Sequence, residues 1–379
     1  MRKSLRLAVV LVAAAVAAIL VLVPSVGYKL SGRVAGDPVV DGEPIRYWLF
    51  VMRRGETKEE RAAAARARGG LGREAPPAVA PPLAAAQADP EPLVRRDAAV
   101  ALGQLGPSAE ATPRLLAALG DTDDEVRAAA AGSLGEIKPD DPDVLPALQK
   151  AAAGDRDAAV RVAAITAIGR YGTTAAGAVP GLIDILKEND ASRGSPHEAA
   201  VLALKEVGPL CLPALTEALG RKEPRTRIGA MKVLAQFGPA ARPAVPDVER
   251  RLADEDPLVG LEAVQCLWAV ERKPDRAVAG AREHLRTTEA NPRLRGQIRA
   301  KAIYVLGEVG PTAGSVAPDL LAILREDPAS QIRMYAAMAL GKMGPEPAIV
   351  QGLTAAARTD KDPDVCRAAN DALRKLGQQ

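Results

Sequence analysis

Two histidines and three cysteines are the residues of this chain best suited to metal or nucleophilic chemistry. A four-ligand zinc site would need nearly all of them in one place. They are far apart in sequence, at His197, His284, Cys211, Cys266 and Cys366. We therefore expect no metal centre. Because the odd number of cysteines includes no CxxC pair, the sequence also predicts no disulfide framework.

Motifs for nucleotide binding and nucleophilic catalysis are missing from the sequence. It contains no GxGxxG, GxxxxGK[ST], HExxH or GxSxG pattern, and AGSLG at Ala131 lacks the first glycine of the last of these. Paired carboxylates such as Asp140 and Asp141 fall in predicted turns between helices, where solvated aspartate is common. We therefore predict no catalytic residue and no cofactor.

The composition favours a helical core built from small aliphatic side chains. Aromatic residues make up 2% of the 379 residues, whereas the wider apolar class makes up 48%. Alanine is the best helix former and lets a neighbouring helix approach closely, while strands favour aromatic and β-branched residues. The composition thus argues against an all-β fold. The 31 prolines and 33 glycines argue against one long coiled coil.

The chain begins with a basic and then apolar segment. Basic residues precede the uninterrupted apolar run Leu7–Val23, and Pro24 ends it. A helix of this length spans about 26 Å, which is short for a transmembrane helix and just beyond a typical signal-peptide core. The basic flank predicts a single-pass signal anchor over residues 1–27, with the remainder outside the cytoplasm. The alternative is a secreted or periplasmic protein after cleavage near Gly27.

One sequence pattern recurs through the rest of the chain. A residue that is usually arginine is followed seven positions later by Leu or Ile, as in IRMYAAMALGKMGP from Ile332. If the arginine position is offset 0, its ten copies are Arg61 (where the Leu is missing), Arg95, Arg127, Arg161, His197, Arg227, Gly260, Arg299, Arg333 and Cys366. Successive copies are 30 to 39 residues apart, so the chain is an array of short structural repeats.

Each copy predicts a pair of helices. Apolar or small residues at offsets −1, +3, +4, +6, +7 and +10 share one helix face, and Gly-Pro steps such as Gly310-Pro311 end that helix. Four Asp-Pro steps predict its start: Asp89-Pro90, Asp256-Pro257, Asp327-Pro328 and Asp362-Pro363. A Val-Pro or Leu-Pro step starts a second helix between successive copies. One such hairpin cannot bury its apolar face alone, so we predict a stacked α-solenoid.

These units resemble HEAT repeats, in particular the short bacterial kind also called PBS-lyase HEAT-like repeats. The pattern x-Val-Arg-x-x-Ala-x-x-Ala-Leu-Gly-x-Leu-Gly carries the resemblance, which covers residues 44–379. The segment GEPIRYWLFVM from Gly42 is similar to the lead-in helix of membrane-anchored members, in which Trp48 would pack onto the first unit. The resemblance implies an all-α solenoid of about ten helix hairpins, with residues 28–43 as a linker. It also implies that the protein binds other proteins.

In this family the helix that carries the repeated arginine position lines the concave face, so its solvent-side residues are candidates for partner contacts. We take offsets +5 and +9 as the candidate protein-binding residues: Gln104, Glu136, Arg170, Glu206, Lys232, Gln236, Gln265, Tyr304, Glu308, Met338 and Lys342. Their mixed chemistry suits a protein-binding groove. An ordinary solvated helix face would look the same at any single position.

Two enzyme families share this kind of repeat. Deoxyhypusine hydroxylase holds two irons with His-Glu pairs at repeated positions, and His197-Glu198 is similar to one such pair. That family uses four pairs, however, and this chain has one, because Glu283-His284 is reversed. Phycobilin lyases use the repeats on a chromophore inside the cell, which suits an exported chain poorly. An enzyme or enzyme subunit of this lyase/hydroxylase kind stays the alternative to a non-catalytic interaction scaffold, and a spacer without a specific partner is a third possibility.

Charge is distributed unevenly along the chain. Residues 89–160 contain 14 acidic and seven basic residues, a net charge of −7, whereas residues 220–310 contain 17 basic and 12 acidic residues, a net charge of +5. A polar rod of this kind would steer a charged partner to its C-terminal half. Solvated helix faces explain the same pattern. Aromatic residues that could stack on bases do not alternate with the basic residues, so we expect no nucleic-acid partner.

Overall fold

The computed structural model describes residues 24–72, 80–188, 194–287 and 289–377. The predicted membrane or signal segment Leu7–Val23 lies outside these residues. Within them, no single helix is long and apolar enough to cross a membrane, and the consecutive segments Pro196–Val207 and Pro209–Ala218 meet the length and composition requirement only when taken together. Nearly all secondary structure in the described ranges is helical. The prediction of an all-α fold is confirmed.

The described N-terminal residues contain two helices and a small hairpin. Helix Pro24–Ala35 is followed by strands Val39–Val40 and Glu43–Pro44, which pair antiparallel, and by helix Ile45–Arg54. Asp41 and Gly42 form the two-residue turn with φ of 50° and 78°, the left-handed conformation that Asp-Gly hairpins favour. Residues 28–43, which the sequence predicts as a linker, thus include most of helix Pro24–Ala35 and most of the hairpin.

The lead-in helix is attached to that hairpin. Helix Ile45–Arg54 overlaps the segment Gly42–Met52 predicted for it and continues two residues beyond its end. Trp48 is half-buried, and its Nε1 donates a hydrogen bond to the backbone oxygen of Val40 at 2.9 Å. Its ring also meets Tyr47 edge-on, with centroids 5.2 Å apart. The hydrogen bond of Trp48 thus goes to the hairpin that precedes its helix.

Every copy of the repeated pattern forms one helix, called here an arginine helix after its offset 0 position. In the described residues the arginine helices are Lys58–Gly69, Pro92–Leu105, Asp124–Ile137, Ala158–Arg170, Pro196–Val207, Pro224–Phe237, Pro257–Glu271, Pro292–Val309, Ser330–Leu340 and Pro363–Leu376. Offset +7 is buried in all but the last of them, for example at Leu134 and Leu306, both 0% exposed. Each such leucine contributes about 1.5–3 kcal/mol of burial free energy.

A shorter intervening helix lies between successive arginine helices. These helices are Ala80–Ala86, Ala111–Ala118, Val144–Gly154, Val179–Ile185, Leu212–Ala218, Val245–Arg250, Pro274–His284, Ala317–Glu326 and Pro347–Thr359. Short 3-10 segments, Gly172–Ala178, Pro209–Cys211, Gly238–Ala244, Arg251–Ala253 and Gly310–Val316, extend some of the turns. Pro180, Pro213, Pro246 and Pro318 lie at the second residue of their helices, as the Val-Pro and Leu-Pro steps predict.

The predicted helix stops are confirmed, but only half of the predicted starts. Each Gly-Pro step has positive φ at its glycine, from 53° at Gly238 to 112° at Gly344. Asp256 and Asp362 cap their helices by accepting hydrogen bonds from the backbone N–H of Leu258 and Asp364. The starts predicted at Asp89 and Asp327 are wrong, because the N-caps there are Glu91 and Ala329.

The described residues divide into two compact units. The first lies within Met1–Gly181 and Asp190–Val207, and the second within Leu182–Asn189 and Gly208–Gln379. In each unit, five arginine helices pack one against the next in chain order, with the intervening helices packed beside them. Because each helix pair is held mainly by its sequence neighbours, each unit has the architecture of a solenoid.

Candidate functional site

The predicted contact positions form two rows on the arginine helices of each unit. The row at offset +5 is called here the apolar row, after its exposed large side chains, and the row at offset +9 is called the polar row. All the candidate residues are exposed except Lys232 and Gln265, which are half-buried. Large apolar side chains are exposed at offset +5 at Val100, Leu202, Tyr304 and Met338. The other exposed large apolar residues among those described are Tyr28, Leu30, Val39 and Leu210. Exposed apolar groups are thus concentrated on the apolar row.

Glycine at offset +8 brings successive arginine helices close together. A Cβ built on Gly135 would lie 2.7 Å from the Cα and Cβ of Ala167, and one on Gly307 would lie 3.2 Å from those of Ala339. Both alanines occupy offset +6 of the next repeat. The same Gly-to-small-residue contact recurs at Gly69, Gly103, Gly169 and Gly341. This spacing aligns the rows from one repeat to the next within each unit.

Ion pairs join neighbouring repeats along the polar row. In the first unit, Arg170 pairs with Glu136 at 2.6 Å, and in the second, Lys342 pairs with Glu308 at 2.6 Å. Exposed pairs of this kind contribute about 0–1 kcal/mol. Breaking such a pair so that its charged groups can contact a bound partner therefore costs little free energy.

Tyr304 is the aromatic centre of the second unit's rows. The ammonium nitrogens of Lys301 and Lys342 lie 5.6 Å and 5.8 Å from its ring centroid, on the edge of cation–π range. Lys301 is held by Glu262 at 3.0 Å. Partial burial, with a smaller effect of the Glu308 carboxylate, raises the pKa of the Tyr304 phenol. The ring therefore presents a neutral hydroxyl at neutral pH.

A cleft opens beside Met338 in the second unit. Its volume is about 370 Å³, and it lies between arginine helices Ser330–Leu340 and Pro363–Leu376. Met334, Ala368 and Ala372 supply apolar walls, and the charged residues that line it are Asp364, Arg367, Asp371 and Lys375. This cleft is a feature that the repeat pattern does not predict, because it depends on which side chains happen to be small.

The repeated arginines form a second constellation, at the other end of the same helices. The guanidinium of Arg95 donates to both carboxylate oxygens of Asp121 at 2.7 Å, and to the backbone oxygens of Asp89 and Pro90 at 2.9 Å and 3.1 Å. Asp121 also accepts from the N–H of Asp123 at 2.9 Å. Each such arginine thus ties the turn before its own helix to the turn before the next one.

We call this arrangement the Arg–Asp latch. It joins Arg61 to Asp89, Arg95 to Asp121, Arg127 to Asp155, Arg227 to Asp254, Arg299 to Asp327 and Arg333 to Asp360. Hydrogen bonds from Arg127 hold the pKa of the Asp155 carboxyl below its usual range, and the pKa of Arg127 is raised in turn. Asp89 and Asp327 therefore serve as latch acceptors. The charges are fully engaged within the protein, so the latch is structural.

The residues that resemble an iron site have other roles. His197 is buried. The Glu198 carboxylate accepts a hydrogen bond from the backbone N–H of Gly194, while the N–H of Glu198 donates to Ser195 Oγ at 3.2 Å, so Glu198 belongs to a helix cap. In the part of the chain that the structure describes, no three His, Cys, Asp or Glu side chains are grouped to hold a metal ion.

Two of the three cysteines lie in positions that suppress their reactivity. Burial raises the pKa of the Cys211 thiol to about 11 and that of the Cys266 thiol to about 12. Such thiols stay protonated at neutral pH and are poor nucleophiles. Cys366 replaces the latch arginine in its repeat, and its Sγ donates to the backbone oxygen of Asp360 at 3.4 Å.

Comparison with solved structures identifies the same fold in karyopherins. The chain is similar to Kap121p bound to Pho4p (TM-score 0.64, 14% identity) and to Kap121p bound to the extreme C-terminus of the phosphatase Cdc14p (TM-score 0.64, 13% identity). The match covers 90% of this chain and 43% and 44%, respectively, of those chains, so this chain spans less than half the length of the karyopherin. At this identity the likeness shows the fold alone.

Sequence comparison agrees with the fold. No curated protein matches the chain. The family model for HEAT repeats matches residues 46–135, 112–204 and 293–374, which together make up more than half of the sequence. These ranges contain most of the arginine helices and all of the complete latches except that of Arg227. The chain belongs to the HEAT-repeat family.

Proposed function

We propose that this protein is a non-catalytic protein-interaction scaffold whose partner lies across the apolar and polar rows of the arginine helices. The observation that carries the proposal is the concentration of exposed apolar side chains at one repeat offset, at Val100, Leu202, Tyr304 and Met338. Apolar side chains scattered singly need no explanation, whereas their recurrence at one repeat offset supports an interaction surface. These four side chains belong neither to the apolar core nor to the latch.

The fold supports the same proposal. Several of the karyopherin structures that share it are complexes with proteins, among them Pho4p and the SUMO protease Ulp1p. Repeat solenoids offer a long preformed surface on which many weak contacts add up. Within the family, we assign the chain to the short bacterial kind because its repeats keep the Val-Arg and Ala-Leu-Gly elements of that pattern.

We also propose that the solenoid lies outside the cytoplasm, tethered by residues 7–23. The support is the basic flank and the apolar run Leu7–Val23. Alkaline phosphatase fused after Gln379 should be active if the C-terminus is exported. N-terminal sequencing of the mature protein then separates the two forms, because cleavage near Gly27 removes the tether. An inactive fusion would overturn the proposed location.

Site-specific photo-cross-linking tests the scaffold proposal. A photoreactive amino acid replaces Leu202 or Tyr304 on the apolar row, or Leu210, an equally exposed residue outside it, in the full-length chain in its own cells. We expect each row position to trap a protein partner and Leu210 to trap little of it. If cross-links form equally at Leu210, or only there, the rows are not the binding surface.

A further inference from the structure

Two neighbouring repeats of the second unit present apolar groups at a regular interval. Tyr304 and Met338 occupy offset +5 on arginine helices Pro292–Val309 and Ser330–Leu340. These helices are in close contact through Gly307 and Ala339, and helices packed face to face lie about 8–10 Å apart. A partner that crosses these two helices therefore meets two apolar groups about 8–10 Å apart.

This interval matches one extended peptide conformation. Polyproline II rises about 3.1 Å per residue with three residues per turn, so every third side chain returns to the same face after about 9 Å. A β-strand returns to the same face after two residues, or about 7 Å. A polyproline II segment thus places one side chain against each successive arginine helix, whereas a strand drifts out of register.

The cleft beside Met338 suits one such side chain. At about 370 Å³ it lies at the lower end of the range for small-molecule pockets, about 300–1,000 Å³. Met334 and Met338 on one helix face Ala368 and Ala372 on the next. Methionine adapts to the shape of what it contacts, so an aliphatic or proline side chain fits there.

The charges around the cleft favour an acidic partner. Among the described residues, the carboxylates of Glu262, Glu308, Asp364 and Asp371 each pair with a lysine or arginine of this chain. Lys375, which lines the cleft, has no ion-pair partner within the described ranges. Lysine ammonium groups and the Tyr304 hydroxyl can also donate to peptide carbonyls, which polyproline II leaves without internal hydrogen bonds.

We propose that this surface binds a proline-rich, acidic peptide segment in the polyproline II conformation, with an apolar side chain at every third residue. One apolar side chain lies against Tyr304, the next enters the cleft beside Met338, and an acidic residue beyond it pairs with Lys375. The inference rests on the proposed scaffold function and specifies the chemistry of its partner.

Two synthetic probes test the peptide geometry. Both are fluorescein-labelled 12-residue peptides of identical composition, rich in proline and aspartate, and each contains four leucines, which are spaced three residues apart in one peptide and two residues apart in the other. Fluorescence anisotropy with the purified full-length chain gives their affinities. We expect the period-three probe to bind at least about 10-fold more tightly, and its affinity to fall as salt rises because an ion pair contributes.

Point variants locate the binding surface. Met338→Glu and Lys375→Glu should each weaken the period-three probe about 10-fold or more, since one blocks the cleft and the other reverses its charge. Both residues are exposed, and unchanged thermal unfolding confirms that the variants fold. Lys150→Glu, at an exposed position on an intervening helix of the first unit, is the matched control and should bind like the parent.

The outcomes separate this inference from the scaffold proposal. Equal affinity for the two probes, or equal loss in Lys150→Glu, overturns the polyproline II assignment. If a protein is nevertheless cross-linked at Tyr304 and Leu202, the scaffold function stands with a partner of another conformation. If neither peptide nor protein reaches the rows, both proposals fail.

Discussion

The arginine at offset 0 is the residue that links successive repeats through the latch. Its planar guanidinium offers donors in a fixed fork, which matches a carboxylate on one side and backbone oxygens on the other. Arg127 uses this fork on Asp155 and on the backbone oxygens of Asp121 and Thr122. A lysine could supply the charge but not the geometry. The latch therefore explains why the repeats keep arginine here.

The repeated arginine is evident in the sequence, whereas its partner is not, because the two residues are 26 to 28 positions apart. The aspartate partner can nevertheless be found from a second position that recurs in the repeats. The latch aspartate lies six residues before the next offset 0, as Asp121 does before Arg127. Where the arginine is replaced, at His197 and Gly260, the matching positions hold Arg221 and Arg293 instead of aspartate. The arginine and the aspartate are lost together in these two repeats, whereas Arg161 is kept although Ala191 stands at its matching position.

Removing one latch partner should destabilise the protein strongly. Arg127→Met leaves the nearly buried carboxylate of Asp155 (10% exposed) without its counter-ion, which we expect to cost about 3 kcal/mol in the free energy of unfolding. Urea denaturation measures it. The matched control is Arg170→Met, which breaks the exposed pair with Glu136 and should cost less than about 1 kcal/mol. Equal losses in the two variants would show that the latch does not stabilise the fold.

The latch also predicts how stability depends on pH. Arginine lowers the pKa of Asp121, Asp155 and Asp360 in the folded protein, while the unfolded value is about 3.9. As pH falls below about 4, the unfolded chain takes up protons first, so this stabilisation is present above pH 4 and lost below it. Thermal unfolding between pH 7 and pH 3 should show the drop. Asp155→Asn should flatten it, and an unchanged slope would contradict the assignment.

At the scale of helices, the glycines at offset +8 decide how closely the arginine helices approach. In a helix, glycine costs about 0.5–1 kcal/mol relative to alanine because it loses more backbone freedom. Its recurrence at this one offset therefore needs a compensating contact. The absence of a Cβ allows this contact, because Gly135 leaves room for Ala167 and Gly307 leaves room for Ala339.

Two glycines of one helix should respond oppositely to the same substitution. Gly135→Ala forces a Cβ to within 2.7 Å of Ala167, so we expect a loss of about 1–3 kcal/mol in the free energy of unfolding from overpacking. Gly132→Ala, in the same helix with nothing within 4 Å of its added Cβ, should gain about 0.5–1 kcal/mol. Denaturant titration of both variants measures the difference. A gain at Gly135 would mean that the helices tolerate wider spacing.

The helices were more predictable than the turns between them. The apolar period of 3.6 residues recurs in every repeat and predicts the position of every arginine helix, because each helix must bury the same face. The turns depend on single contacts across the fold, which explains why Asp89 and Asp327 pair with Arg61 and Arg299 although their Asp-Pro steps predict helix caps. The helix and hairpin within residues 28–43 were missed because they lie outside the repeat.

At the scale of the whole molecule, the scarcity of aromatic residues follows from the architecture. The largest fully buried side chains are mostly leucine and isoleucine, with Arg68 as the exception. A stack of helix pairs has only narrow interfaces to fill, so aliphatic side chains suffice. The few aromatic residues are then available for other tasks, as Tyr304 is on the apolar row. The sequence predicts the candidate rows through their offsets, but the cleft beside Met338 depends on three-dimensional packing.

The central claim is that a protein partner binds along the apolar row, and a pair of matched substitutions tests it most directly. Leu202 and Leu210 are both exposed leucines, 52% and 60% accessible, but only Leu202 lies on the row. The affinity of the cross-linked partner is measured against the full-length parent, Leu202→Glu and Leu210→Glu. We predict a loss of about 10-fold or more for Leu202→Glu and no change for Leu210→Glu. Unchanged binding by Leu202→Glu, or an equal loss in both variants, would contradict the account.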